Sequence, residues 1–208
     1  MGNSDRVDVA LVMAVDVSSS IDSSDFQLQM QGIAAALRQP VVLEILRGGR
    51  HQQVALALIQ WSITAKQSLT SPWRVIATSS DVEATAQAIE SAERDFVPGG
   101  TGMAAAIAFS VELMAQSIFL SDRKVIDVSG DGEENEGGDV ESSRALALQR
   151  GIVINGLPVI TGSSLLVPYY HDKVIGGAGS FIETAENIFS FEEAMKRKLI
   201  RELQPSLT

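Results

Sequence analysis

The stretch Val7-Asp8-Val9-Ala10-Leu11-Val12-Met13-Ala14-Val15, followed at once by Asp16-Val17-Ser18-Ser19-Ser20, decides how the rest of the chain is read. Its first part is almost continuously apolar instead of alternating, as expected of a strand covered on both faces in a parallel sheet. It is far shorter than the roughly 20 residues that span a bilayer, so membrane insertion is not expected. The second part sets one carboxylate and two hydroxyls on the turn that leaves that strand. In a sheet of this kind ligands bind beyond the C-terminal strand ends, where successive helices depart to opposite faces.

Outward from this strand, the same alternation repeats. Ser24-Asp25-Phe26-Gln27 fits a capping box, and Phe26, Met30, Ile33 and Leu37 recur at helical spacing until Gln39-Pro40 stops the pattern. Val54 to Trp61 reads as a second buried strand, Ala65 to Leu69 as an edge strand, and Asp81 to Glu93 as a helix. Pro98-Gly99-Gly100 leads into a helical run from Thr101 to about Gln116. Lys124 to Ser129 is a strand closed by Gly130-Asp131-Gly132, Asp139 caps a helix ending at Gly151, and Ile152 to Leu157 is the next strand. Ser180 to Glu183 is expected as a last short strand. Ser190-Phe191-Glu192-Glu193 reads as a second capping box, opening a helix with Phe191, Met195, Leu199 and Leu203 on one face. The series predicts an α/β fold: a doubly wound, mostly parallel central sheet with helices on both faces. One domain is expected over 7–204, with 1–6 as a junction or linker and 205–208 as a tail.

Composition narrows the chemistry. The chain of 208 residues is 45% apolar and 20% charged, with a net charge of -10. An acidic surface repels phosphate backbones, so no nucleic-acid partner is expected. There is no Cys and there are two His, which excludes disulfides, thiolate nucleophiles and His-rich zinc centres; a bound metal must be held mainly by oxygen. His51 and His171 read as surface or loop-packing residues. No Walker sequence and no Gly-x-Ser-x-Gly occurs. Gly100-Thr101-Gly102-Met103-Ala104-Ala105 matches G-x-G-x-x-A but does not follow the first strand, so a dinucleotide site is not expected. The acidic run from Asp131 to Glu141 departs from an EF-hand, with Glu136 where Gly is needed and Ser142 where a bidentate Glu is needed. It reads as a solvated loop.

Two more oxygen donors fall on predicted strand tops: Thr101, after the glycine pair, and Asp131, after the fourth main strand. A small hard dication takes six oxygens and needs one or two carboxylates. Asp16, Ser18, Ser20, Thr101 and Asp131 meet that demand with room for an outside ligand.

Asp16-x-Ser18-x-Ser20, Thr101 after Gly99-Gly100, and Asp131-Gly132 together resemble the metal-ion-dependent adhesion site of von Willebrand factor type A (VWA) domains. The resemblance covers nearly the whole chain. It implies one divalent cation, Mg2+ before Mn2+ or Ca2+, with Ser18, Ser20 and Thr101 as direct ligands and Asp16 and Asp131 as the anionic pair. It also implies a protein partner whose carboxylate completes the shell. Val125 to Gly132, Ile154 to Leu157 and Val174 to Gly177 are similar to a bacterial VWA-like group described as a domain of unknown function. Members of that group look exported, which implies a periplasmic or secreted protein whose signal peptide lies outside the given chain; otherwise it is cytoplasmic. Ser129-Gly130 stands before Asp131 where Thr is frequent in VWA chains.

The expected function is therefore a metal-dependent protein-binding module and not an enzyme. The alternative is a metal-assisted hydrolase with Glu133 or Glu134 as base. Glu133, Glu134, Tyr169 and Tyr170 are candidate partner contacts. Oligomeric state is left open.

Overall fold

The computed structural model describes residues 5–95, 99–162 and 165–204. Met1 to Ser4, Pro98 and the 205–208 tail lie outside the described residues. Five strands form one sheet in the order β3-β2-β1-β4-β5. They are β1 (Arg6–Asp16), β2 (Val54–Trp61), β3 (Gln67–Ile76), β4 (Leu120–Gly130) and β5 (Ile152–Pro158). All neighbours run parallel except β2 and β3, which are antiparallel. The central position of β1 follows from its composition, since Leu11 lies opposite Leu56 on one side and Val125 on the other.

Among the described residues seven α-helices flank the sheet: α1 (Ser23–Leu37), α2 (Pro40–Gly48), α3 (Ser79–Glu90), α4 (Met103–Ala115), α5 (Val140–Gln149), α6 (Leu166–Tyr169) and α7 (Phe191–Leu203). A π turn over Tyr170–Val174 continues α6. Side chains alternate along β1. Val9, Leu11, Met13 and Val15 join the core under α1, α3 and α7, whereas Ala10, Val12 and Ala14 join the core under α4 and α5. Phe26, Met30, Ile33 and Leu37 give α1 its buried stripe, and each such side chain contributes about 1.5–3 kcal/mol by leaving water. After β1 the chain turns to α1 on one face; after β4 it turns to α5 on the other. The crevice between the ends of β1 and β4 is thus the topological switch point. Among the described residues no helix is long and apolar enough to cross a membrane.

Several boundaries differ from expectation. Asp22, not Ser24, caps α1, its carboxylate accepting from the Ser24 and Asp25 N–H groups. α1 ends at Leu37, as expected before Gln39-Pro40, but Pro40 also opens a further helix, α2, as its first residue, where a missing N–H costs nothing. The edge strand β3 runs on to Ile76, with Pro72 placed where the β2–β3 register shifts. Ser180 to Glu183 adds only an isolated parallel bridge, Ile182 to Gly156. Ser190 makes no side-chain cap for α7, because its hydroxyl is turned to Asn187, which caps the preceding 3-10 turn.

Candidate metal centre

The end of β1 delivers Asp16 into the crevice with 0% exposure. Its Oδ1 accepts the Ser18 N–H at 2.7 Å, while its Oδ2 is buried and has no hydrogen-bond partner. Ser18 and Ser20 face the same point, their hydroxyl oxygens 3.2 Å apart. From the end of β4, Asp131 meets them: the Ser20 hydroxyl donates to Asp131 Oδ1 at 2.5 Å. Thr101, preceding α4, is 5% exposed, and its Oγ1 lies 3.2 Å from where a Cβ on Gly132 would stand. The structure thus gathers Asp16, Ser18, Ser20 and Asp131 directly and brings Thr101 against the Asp131-Gly132 step. Gly130 is required by the same crowding, since a Cβ there would stand 2.8 Å from Asp16 Oδ2 and 3.2 Å from the Tyr170 hydroxyl.

The electrostatics of the cluster are unbalanced. Burial pushes the Asp16 carboxyl up to about 7; hydrogen bonds from Ser18 oppose this, and the nearby Asp131 carboxylate adds to it. Asp16 makes no ion pair among the described residues. A buried carboxylate oxygen without a donor, a second carboxylate alongside and three hydroxyls make an all-oxygen donor set, which fits a hard dication. Burial grades from Asp16 inside to Ser20 at the surface, so the group opens towards solvent.

The loop after β4 supports the arrangement with residues that sequence reasoning passed over. Asn135 Oδ1 accepts the Thr101 N–H at 2.7 Å, and the Asn135 N–H returns a bond to the Thr101 carbonyl at 3.0 Å. Thr161, beyond β5, donates its hydroxyl to Asp131 Oδ2 at 3.2 Å. Arg94 Nη2 donates to the carbonyls of Val17 and Ser18 at 2.7 and 2.9 Å, fixing the Asp16 turn from behind. None of these belongs to a local pattern; each is set by a long-range contact.

One expected partner contact, Tyr170, is corrected, and another, Glu134, is found tied into the structure. Tyr170 is wholly buried, packed in the core beneath α4 and α5, and its hydroxyl donates to the Gly130 carbonyl at 3.4 Å. Glu134 is committed to structure: Oε2 accepts the Ala104 N–H at 2.8 Å, and Oε1 accepts from Glu136 and Gly138 at 2.8 and 3.3 Å. It caps α4, whose own N-cap Gly102 has no side chain to do so. That use removes it as a ready general base. Tyr169 is half-buried, its hydroxyl accepting the Glu134 N–H at 3.2 Å, and Glu133 is exposed.

Comparison with solved structures returns VWA-type folds. Proximal thread matrix protein 1 from the mussel byssus, in a structure with a zinc-occupied MIDAS motif, superposes with a TM-score of 0.64 at 16% identity over 94% of this chain and 46% of that one. The vWF domain of the type V pili tip protein Mfa5 from Porphyromonas gingivalis gives 0.62 at 13% identity, covering 97% and 98% of the two chains. A von Willebrand factor type A protein from Catenulispora acidiphila gives 0.64 at 14% identity over 95% of this chain and 43% of that one. The chain thus spans under half of the first and third of these. No match is found among curated protein sequences. With the VWA-like sheet and switch point in place, and with a family profile matching residues 6–207, the chain belongs to the family described as protein of unknown function (DUF1194).

Proposed function

We propose that this domain binds one divalent cation at Asp16, Ser18, Ser20, Thr101 and Asp131 and captures an acidic group of a protein partner there. The observation that carries the reading is Asp16 itself: among the described residues, a fully buried carboxylate with one oxygen that makes no hydrogen bond, facing a second carboxylate and no basic side chain in ion-pair contact. When bound, the cation supplies concentrated positive charge and a coordination position open to a carboxylate oxygen. The chain's own residues do the rest. Asp16 and Asp131 provide the negative charge, Ser18, Ser20 and Thr101 provide neutral oxygens, and Asn135 and Thr161 hold Thr101 and Asp131 in place. In a protein of net charge -10, such a site is a local exception that directs an acidic partner to one spot. Glu133 and Tyr169 stand at its rim as partner contacts. Mg2+ is the expected ion because the donor set is all oxygen. A MIDAS-bearing matrix protein and a pilus tip protein among the structural neighbours support an adhesive role and a periplasmic or secreted setting.

Calorimetry with Mg2+, Mn2+ and Ca2+ on wild type and Asp16→Ala tests the site, and equal heats for the two proteins would remove it. Cross-linking in the presence and absence of chelator tests capture; partner recovery unchanged by chelator would sink that part. Metal-dependent turnover of a phosphoester or peptide, abolished by Asp131→Ala, would replace the binding reading with the hydrolytic one.

A further inference from the structure

The opposite pole of the sheet carries a second group of ligating side chains. Asp8 lies near the start of β1, Asp122 near the start of β4, and His51 in the turn between α2 and β2. One ligating atom from each falls within 4.8 Å of the others. Asp8 and Asp16 are eight positions apart on one strand, so the two groups are separated by about 26 Å. The second group therefore stands or falls independently of the first.

His51 supplies the observation that points to a ligand. Its side chain is only 10% exposed, and its Nε2 is buried and makes no hydrogen bond, although Asp122 Oδ2 lies 3.3 Å away. A buried ring nitrogen without a partner is unfavourable unless something occupies it. The imidazole is held in this position by its own backbone: Asp8 Oδ1 accepts the His51 N–H at 2.9 Å, and Asp8 Oδ2 accepts the Gln53 N–H at 3.4 Å. Each Asp8 oxygen keeps a further lone pair. Asp122, 44% exposed, closes the group on the solvent side. Read from the sequence, His51 is a loop-packing residue; folding gives it two carboxylates from distant strand ends.

We propose that Asp8, His51 and Asp122 form a site for a transition-metal dication, with Zn2+ as the ion that fits. One imidazole nitrogen and two carboxylate oxygens are a mixed donor set, whereas Mg2+ and Ca2+ favour oxygen alone. Three protein ligands with an exposed side match a tetrahedral ion whose fourth position is water. The ion ties the first strand, the turn before the second and the fourth strand into one cluster.

The test uses the full chain in the Asp16→Ala background, which removes the other proposed site. Zinc titration by calorimetry is expected to show one equivalent bound, and zinc-edge X-ray absorption to show one imidazole in its shell. Asp122→Asn, at an exposed position, is expected to weaken binding by about tenfold or more and leave the melting temperature in chelator unchanged. His51→Gln is expected to abolish the imidazole signal. Absence of zinc binding in Asp16→Ala, binding unaltered by both further substitutions, or preference for Mg2+ over Zn2+ there would each overturn the proposal.

Discussion

Asp16 at the end of β1 and Asp127 within β4 are both fully buried aspartates on adjacent central strands, but among the described residues only Asp127 of the two is paired with a cation, one that it shares with Glu202. Lys198 of α7 reaches Asp127 Oδ1 at 2.5 Å and also pairs with Glu202, one helical turn further on. Asn155 Nδ2 donates to Glu202 Oε1 at 2.9 Å. Burial and the neighbouring Asp127 push the Glu202 carboxyl up to about 7, and Lys198 draws it back down. Inside the fold, then, two buried carboxyls are met by one ammonium that the chain itself supplies. At the rim of the sheet the same kind of charge has no counter-ion among the described residues, the difference expected between a binding site and a structural ion pair.

The largest expected effect comes from breaking the structural side of this contrast. Lys198→Met leaves two carboxyls buried without their ammonium and should lower stability by about 3–5 kcal/mol in urea unfolding; a loss below about 1 kcal/mol would show that the pair is not what holds α7. At the rim the sign should reverse. Asp16 has a folded-state value of about 7 against 3.8 for the ordinary group, so between these values the folded chain holds a proton that the unfolded chain has lost. Stability of the metal-free protein therefore falls as pH rises from about 4 to 7. Asp16→Asn removes that loss and should stabilise the metal-free protein at pH 8 by up to about 4 kcal/mol, a gain that vanishes near pH 4. Chemical denaturation across pH in chelator measures it, and a destabilised variant at pH 8 would break the comparison.

Smaller effects sharpen it. Gly130→Ala places a methyl 2.8 Å from Asp16 Oδ2 and should cost about 1–3 kcal/mol in thermal or urea unfolding while weakening cation binding in calorimetry. Tyr169→Phe removes one acceptor from the Glu134 N–H and should cost about 1 kcal/mol, with cation affinity nearly unchanged.

Much of the frame was readable in the sequence because its signals are local. The unbroken apolar run of β1, the buried β2 and β5, and the Asp139 cap of α5 each declare themselves within a few residues. Pro40 marked the end of the α1 pattern correctly but equally suits a helix start, so α2 went unread, and Pro72 hid the length of β3 by sitting at a register shift. The loops after β1 and β4 could be placed at one crevice from topology alone; Thr101 could not, since it follows α3 and not a strand, and reaches the crevice through the contacts of the α3–α4 connection with Ser62 and Asn135. Asn135, Thr161 and Arg94 could not, since their partners are 34, 30 and 76–77 positions away. Tyr169 and Tyr170 look equivalent in sequence, but a helical backbone turns successive residues to different directions, and one of the pair points into the core. Lys198 and Glu202 are fully buried because Asp127 of β4 lies against them, a contact between distant segments that no local pattern marks.

The Glu134 and Asn135 contacts have a mechanical consequence. They fasten the β4 loop to the backbone at Ala104 and Thr101, so that the carboxylate and the threonine of the crevice are linked to the start of α4 by hydrogen bonds. Tension applied through anything gripped at Asp131 would pass into a helix seated on the sheet, and peeling the loop away would require the hydrogen bonds at Thr101 and Ala104 to fail together.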